Sequence, residues 1–285
     1  MLQFTKHAPT ACALMCAGGL VFASAAPATA QAQNWTGAYA GVTIGAALQM
    51  DDADESVAFD TNLDGTFADT VRTVAGADAF SPGFCAGIAM GAQPAAGCSE
   101  DEDGIDFGGR VGYDRQMGRL VIGALVDVSK ADITDGVSAF STTPAFYAFG
   151  REVNYVAGLR GRIGVGNERV LVYGTGGGAM ANIDHVFTTS NGVNTFVPAK
   201  NTSTSDNSWG YQAGGGVELR LGLRWSVTGE YLFTSIDDRD EATVRTQGPA
   251  PATNPFILVN ASGTDLQRTD RFEFQALRLG LSYRF

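Results

Sequence analysis

The sequence predicts an all-β protein: an eight-stranded antiparallel transmembrane β-barrel with short periplasmic turns and long extracellular loops. Three observations predict this fold class: the alternation in the last segment, an export leader at the start, and eight strand-like segments joined by alternately short and long connections. In the last segment, Phe272 to Phe285, every second position from Leu277 onward is apolar and the series ends on an aromatic residue. About nine alternating residues with aromatic ends is the length of a tilted strand that crosses an outer membrane.

The first 30 residues are predicted to be a cleavable secretory signal peptide. Basic Lys6-His7 precedes an apolar run from Ala11 to Ala23, and Ala28-Thr29-Ala30 supplies the small residues of a cleavage site. We expect cleavage after Ala30, with Ala32 as the alternative, which leaves 31–285 as the barrel domain. The apolar run is too short for a spanning helix, and no later stretch is long enough to be one.

The exported chain divides into eight strand-like segments that have one apolar face each. The apolar positions are even in the first and third segments and odd in the second, fourth, sixth, seventh and eighth. The glycine-rich middle of the fifth segment leaves its facing open, and the 37 glycines of the chain are typical of a closed barrel whose backbone bends and crowds. In order, the segments are 35–48, 105–116, 119–131, 150–166, 169–183, 208–220, 223–236 and 272–285.

The connections alternate in length. Those after the second, fourth and sixth segments have two or three residues, whereas the other four have from about 15 to about 55. This alternation is typical of bacterial membrane barrels, in which tight turns face the periplasm and long loops face outward. The stretches 188–208 and 247–255, rich in Thr, Ser, Asn and Pro, are predicted to be exposed loops.

The charge is concentrated in one connection. The chain has 19 Lys plus Arg against 30 Asp plus Glu, and the connection 49–103 holds twelve of the acids with Arg72 as its single base. We therefore predict that 49–103 is a long acidic extracellular loop and that nucleic acid is not a partner, because phosphate contacts need basic residues. Weak binding of divalent ions by this loop is left open.

Two cysteines remain after the leader is removed. Cys85 and Cys98 are expected to form one disulfide in an oxidising compartment, because their spacing fits neither a CxxC redox motif nor a zinc site. Cys12 and Cys16 lie inside the leader.

Strand parity predicts twelve charged side chains inside the barrel, six of each sign: Asp106, Arg110, Asp114, Asp127, Glu152, Arg160, Arg162, Glu218, Arg220, Glu230, Arg278 and Arg284. Counting from the short turns places six of these in a mid-barrel layer: Arg110, Asp127, Arg160, Arg162, Glu230 and Arg278. Glu230 and Arg278 lie on adjacent strands and are the first ion pair that we predict. The layer is interpreted as a plug that fixes the barrel, and alternatively as a narrow path for ions or small solutes.

Seven aromatic side chains are predicted to anchor the barrel at the membrane interfaces: Trp35, Trp209, Tyr211, Trp225, Tyr231, Tyr283 and Phe285.

Catalytic, cofactor and metal residues are not predicted. His185 is the only histidine after the leader, and the residue two positions on is Phe187, not the serine that a lipid A deacylase would need. The sequence from Asp60 to Gly65 matches the first half of a calcium-binding loop, but the twelfth position is Val71 and not the bidentate Glu.

Seven stretches resemble the opacity-type, OmpA-like family of small outer-membrane β-barrels, often called porin-family proteins: NWTGAYAGVTIGA (34–46), GGRVGYD (108–114), LRGRIGV (159–165), VLVYGTGGGA (170–179), GYQAGGGVEL (210–219), WSVTGEYLF (225–233) and LRLGLSYRF (277–285). The resemblance covers all eight strands. Two departures are Leu125, where the family commonly has Glu, and the length of the acidic loop.

The resemblance implies a location in the outer membrane of a Gram-negative bacterium. The implied partners are membrane lipid, lipopolysaccharide, the barrel-assembly machinery acting on the strand that ends at Phe285, and a surface ligand bound by the loops. A structural and surface-interaction role is expected first and a narrow channel second. A lipid A enzyme and a soluble exported barrel with its faces inverted remain as alternatives.

Overall fold

The computed structural model describes residues 34–50, 55–99, 101–198, 205–239 and 242–285. The predicted signal peptide lies outside these residues. The fold contains two short 3₁₀ helices, Pro94–Ala96 and Pro255–Ile257, and fourteen strands in the described chain: β1 Gly37–Gln49, β2 Val57–Asp60, β3 Gly83–Ala86, β4 Gly104–Met117, β5 Leu120–Ala131, β6 Thr134–Ser141, β7 Ala145–Gly166, β8 Val170–Thr189, β9 Thr195–Pro198, β10 Ser205–Arg220, β11 Trp225–Asp237, β12 Val244–Gln247, β13 Asp265–Arg268 and β14 Phe272–Arg284.

Eight long strands form a closed antiparallel barrel in the order β1-β4-β5-β7-β8-β10-β11-β14. The first and last strands close the barrel, with Val42 opposite Leu281, so that no wall strand keeps a free edge. The predicted eight-stranded antiparallel barrel is confirmed, and each predicted segment coincides with one wall strand. Among the described residues, no helix is both long and apolar enough to cross a membrane.

The connection after the third segment, residues 132–149, forms a hairpin and not the predicted loop. Strand β6 pairs with the first part of β7, with Val137 opposite Phe149, and β3 adds to the other edge of β6. The wall therefore extends beyond the barrel on this side, at the end that carries the long connections.

A β-bulge in β7 reverses the facing of the residues that precede it in the strand. Opposite β8, Val153 pairs with Ile183 and Tyr155 with Asn182, so Asn154 is the extra residue. One extra residue moves the side chains beyond it to the opposite face from the one that regular alternation predicts. Glu152 is therefore exposed on the outside, whereas Arg151 and Val153 are buried inside. The predicted inward facing of Glu152 and outward facing of Val153 are wrong for this reason.

The outer surface of the wall is an apolar band. Val42 is 63% exposed and Leu279 is 64% exposed, and exposed apolar side chains from all eight wall strands accompany them. A surface of this kind is stable in lipid and not in water. The alternative of a soluble barrel with inverted faces is wrong, because the charged faces lie inside. Further members of the band are Ile44, Phe107, Val111, Ile122, Val126, Leu159, Ile163, Val165, Val172, Val217, Leu219, Leu277 and Leu281.

The interior is built in layers along the barrel axis. Trp35, Val121, Leu171 and Tyr173 pack together at the short-turn end. A set of paired charges fills the middle. Above it lies an apolar layer, defined by Ala47, Ala131, Ile133, Val153, Val156, Ala179, Ala181, Ile183, Ile236, Phe272 and Phe274.

The long connections fold into a structure that we call the cap, formed by strands β2, β9, β12 and β13. These strands form a sheet in the order β2-β13-β12-β9, drawn from three connections. Its buried side chains pack on the inner face of the β6–β7 hairpin, where Tyr147 lies beside Phe80 and Phe256. The stretches 188–208 and 247–255, predicted as exposed loops, supply β9 and residues that flank β12 and the second 3₁₀ helix. The predicted disulfide between Cys85 and Cys98 is present and closes the segment after β3.

Candidate functional site

Ten paired charges fill the middle of the barrel, and we call them the inner charge network. They comprise five carboxylates and five guanidiniums, each 6% exposed or less: Asp106, Asp114, Asp127, Glu218, Glu230, Arg110, Arg160, Arg162, Arg278 and Arg284. All six residues of the predicted mid-barrel layer belong to this set. Of the twelve charges predicted inside, only Glu152 and the half-buried Arg220 do not belong.

In the half of the network that lies nearer the short turns, two arginines share two carboxylates. Arg162 contacts Asp114 through two nitrogens and donates from Nη1 to Glu218 at 2.9 Å. Arg284 donates to the same Asp114 at 2.8 Å and lies 3.5 Å from Glu218. The Tyr39 ring stacks against both guanidiniums, at 4.8 and 5.0 Å. Each charge therefore has at least two partners of opposite charge or an aromatic face, as a buried ion needs.

The upper half links strands across the barrel. Arg160 donates to Asp127 at 3.0 Å and to Glu230 at 3.2 Å. Arg278 donates to Asp127 at 3.1 Å and to Asp106 at 2.6 Å. Asp127 and Arg160 thus join four wall strands through one chain of charges.

The predicted pairing of Glu230 with Arg278 is not the one that forms. The two residues are opposite each other in the β11–β14 register. Glu230 instead accepts from Arg160 and from the hydroxyl of Tyr173 at 2.6 Å, with Arg110 at 4.0 Å. A long arginine side chain reaches across the interior, so strand adjacency alone does not determine its partner.

Glycines on the inner wall provide the room for this network. A Cβ at Gly123 would overlap Oδ1 of Asp114, and a Cβ at Gly158 would overlap the side-chain amide of Gln212 and lie 2.9 Å from Asp127. At these two positions, glycine leaves the space that the charged and polar side chains occupy.

Trp35 is not a membrane anchor. Its side chain is 0% exposed and lies inside the short-turn end, where Nε1 donates to the carbonyl of Asn167 at 2.7 Å. The guanidiniums of Arg220 and Arg284 lie over its ring at 4.6 and 5.5 Å. The two cations over the ring and the hydrogen bond of Nε1 stabilise this inward position. The predicted anchor role of Trp35 is wrong.

The other six predicted anchors lie on the outer surface. Trp209, Tyr211, Trp225, Tyr231 and Phe285 are exposed, and Tyr283 is half-buried with its hydroxyl beside Arg224. Trp225, Tyr283 and Phe285 form a row of edge-to-face contacts at the short-turn end. Their role in anchoring the barrel stays a prediction.

A second charged group lies at the mouth of the barrel, and we call it the rim cluster: Glu55, Asp101, Asp135, Arg151, Asp238, Arg268 and Asp270. Arg151 on β7 donates to Asp135, to Asp238 at 2.9 Å and to Asp270 at 2.5 Å. Arg268 on β13 donates to Glu55 at 3.1 Å, to Asp135 at 3.0 Å and to Asp270 at 2.9 Å. The cluster therefore joins the acidic connection and the cap to the barrel wall.

Burial and mutual repulsion act on the acids of the rim cluster. Burial, and then the nearby Asp135, raise the pKa of Glu55 to about 9, although Arg268 and Arg151 oppose the shift. The same two causes raise the pKa of Asp101 to about 6. Sequence reasoning missed this cluster, because the bulge inverts Arg151 and because the other six members come from three separate connections.

Two sequence motifs have local roles. Asp60 is buried and its carboxylate accepts the backbone N–H groups of Leu63, Asp64 and Gly65, so it holds the turn that resembled a calcium loop. His185 lies near the rim cluster, with Nδ1 3.9 Å from Asp238.

Comparison with known proteins gives matches to outer-membrane proteins. Residues 17–285 match the family described as outer membrane protein beta-barrel domain. The 31 kDa outer-membrane immunogenic proteins of Brucella melitensis and Brucella suis are 26% identical over 184 residues, which is 64% of this chain and 67% of each relative.

Solved structures of low sequence identity also match. OprG of Pseudomonas aeruginosa is 14% identical, with a TM-score of 0.49 over 90% of this chain and 99% of its own. Ail of Yersinia pestis, solved with the heparin analogue sucrose octasulfate, is 11% identical, with a TM-score of 0.29 over 87% and 99%. The protease OmpT of Escherichia coli is 9% identical, with a TM-score of 0.32 over 87% and 97%.

Proposed function

Since this chain belongs to the outer membrane protein β-barrel domain family and resides in the cell outer membrane, we propose that it is a filled barrel with a structural and surface-interaction role. In this proposal the barrel is a rigid anchor and the cap is the part that meets the cell exterior. The barrel does not conduct.

The observation that carries the proposal is the burial of the inner charge network. A water-filled path would leave its lining side chains accessible, yet all ten charges are almost completely buried. Trp35 lies below them, and the apolar layer, with Phe272 and Phe274 at 0% exposure, lies above. Eight strands enclose a space that side chains fill, which agrees with this arrangement.

The cap supports a role at the surface. It draws its strands from three connections at the end opposite the tight turns, which is the outer side in bacterial barrels. The Brucella relatives are named as immunogenic proteins, which suits a surface that is open to the outside. Loops held by a rigid scaffold are the usual place for recognition. The proposed partners are membrane lipid, lipopolysaccharide and a surface ligand, and assembly is proposed to begin from the strand that ends at Phe285.

The test is the orientation of the cap in living cells. Val74, in the acidic connection, and Glu168, in the turn before β8, are both exposed. A membrane-impermeant maleimide is applied to cells that express Val74→Cys or Glu168→Cys. We expect labelling of Val74→Cys on intact cells and of Glu168→Cys only after the outer membrane is permeabilised. The reverse pattern would overturn the proposal, because the cap would then face the periplasm.

A narrow channel is the alternative function. It requires the inner charge network to open to water, and a current that changes in ion selectivity with Glu230→Ala would favour it. An enzymatic role is not part of the proposal. His185→Ala is expected to leave the lipid A of expressing cells unchanged.

A further inference from the structure

Three carboxylates of the rim cluster converge on one point. Glu55 precedes β2, Asp101 lies just before β4 and Asp135 lies on β6. Each offers an oxygen, and the three oxygens lie within 4.8 Å of one another. Oxygens about 2.4 Å from one Ca²⁺ ion can be up to about 4.8 Å apart, so one ion can reach all three. Mg²⁺ usually keeps several waters and is bound by one or two carboxylates, so a set of three protein carboxylates favours Ca²⁺.

Two of these carboxylates are buried and have an oxygen with no hydrogen-bond partner among the described residues. Glu55 is 7% exposed and Asp135 is 0% exposed. Their Oε1 and Oδ2 atoms are turned to Arg268, while Oε2 of Glu55 and Oδ1 of Asp135 remain unpartnered. A buried carboxyl oxygen without a partner costs free energy that a bound cation recovers.

The local charge balance also favours a bound cation. The inner charge network sets five carboxylates against five guanidiniums. The rim cluster has five carboxylates and only Arg151 and Arg268 against them. His185 lies beside Asp238, with Nδ1 at 3.9 Å. Even with Glu55 protonated, the acids outnumber the bases in the described part of the rim cluster.

We propose that Glu55, Asp101 and Asp135 bind one calcium ion, which fastens the acidic connection to the barrel wall. All three supply carboxylate oxygens, the ligand type that Ca²⁺ prefers, and backbone carbonyls and water complete the shell. Glu55 and Asp101 come from the two ends of the connection 49–103, and Asp135 comes from the wall. The ion therefore fixes both ends of that connection to β6.

The test is calcium titration of the full chain, refolded in detergent and freed of metal with a chelator. Calorimetry with CaCl₂ is expected to give one site, and thermal unfolding is expected to shift to higher temperature as calcium is added. MgCl₂ at the same concentration is expected to give a smaller shift. Carboxylates bind calcium in their ionised form, so binding is expected to weaken at low pH.

The variants separate this site from general charge effects. Glu55→Gln and Asp101→Asn are each expected to weaken calcium binding at least tenfold. Asp101→Asn retains an oxygen for its bond from the Gly136 N–H, so it serves where another variant fails to fold. Glu152→Gln is the matched control, because Glu152 is next to Arg151 but faces outward. Calcium binding by the wild type that is absent at millimolar concentration would overturn the proposal, as would equal weakening in Glu152→Gln.

Discussion

In the inner charge network, one arginine side chain often contacts two carboxylates. The structure therefore depends on individual guanidiniums. Arg160 is 1% exposed and contacts Asp127 and Glu230, which lie on different strands. A buried ion pair contributes little net stability, but removal of one partner leaves an uncompensated charge. We therefore propose that the inner charge network serves more to fix the side chains in one arrangement than to raise the stability of the barrel.

Arg160→Met is expected to lower the free energy of unfolding by about 3–5 kcal/mol, because Asp127 and Glu230 stay buried and lose a shared donor. The measurement is urea unfolding of the refolded protein in detergent micelles. Arg119→Met, at an exposed turn position, is the control and is expected to change stability by less than about 0.5 kcal/mol. Equal unfolding midpoints for the two variants would contradict the account.

The three tryptophans are expected to report different surroundings. Single-tryptophan variants are made by changing the other two to Phe. In vesicles that contain brominated lipid, fluorescence of the Trp209 and Trp225 proteins is expected to be quenched, because both side chains are exposed on the outer surface. Fluorescence of the Trp35 protein is expected to resist both brominated lipid and aqueous acrylamide. Strong lipid quenching of Trp35 would restore its predicted role as an anchor.

Glu55 is expected to make the metal-free protein less stable as the pH rises. Its pKa is about 9 in the folded protein against an ordinary value of 4.5, so the folded state holds more protons than the unfolded state between these values. The groups that act on it are Asp135, Arg268, Asp270 and Arg151. Urea unfolding in chelator is expected to show stability that falls from about pH 5 to about pH 9, with a smaller fall in Glu55→Gln. Equal slopes would contradict this assignment.

Among the elements, the wall strands could be predicted from the sequence and the local exceptions could not. Alternation determines a strand and its lipid face wherever one side is apolar, as in β14. The bulge at Asn154 has no such signal, because the residues around it alternate on both sides. The cap strands are four residues long, and each depends on partners distant in sequence, so local pattern did not reveal them. The partners of each arginine were likewise unpredictable, because they depend on reach across the barrel.

Cysteine labelling tests the bulge. Arg151→Cys and Glu152→Cys differ by one position, and the bulge makes the side chain at 152 the exposed one. An impermeant maleimide is expected to react with Glu152→Cys on intact cells and to spare Arg151→Cys while Cys85 and Cys98 remain oxidised. Labelling in the opposite order would restore the regular parity of β7 and would remove Arg151 from the rim cluster.

For the whole molecule, the interior alternates between apolar and charged layers from the short-turn end to the cap. From the short-turn end, the order is Trp35, the inner charge network, the apolar layer, the rim cluster and the aromatic side chains beneath the cap. Three elements meet in the rim cluster at the mouth of the barrel: the acidic connection, the β6–β7 hairpin and the cap. In the proposed function, this arrangement makes the barrel a filled anchor for the surface at its long-connection end.

Current recording across a planar bilayer tests the filled interior most directly. The refolded protein is first shown to be a closed barrel by its change in electrophoretic mobility on boiling, and its insertion is verified in the same preparation. We expect no discrete conductance steps over a wide range of voltages, because the inner charge network is paired and buried. Stable steps whose ion selectivity changes in Glu230→Ala would contradict the account and establish the narrow channel.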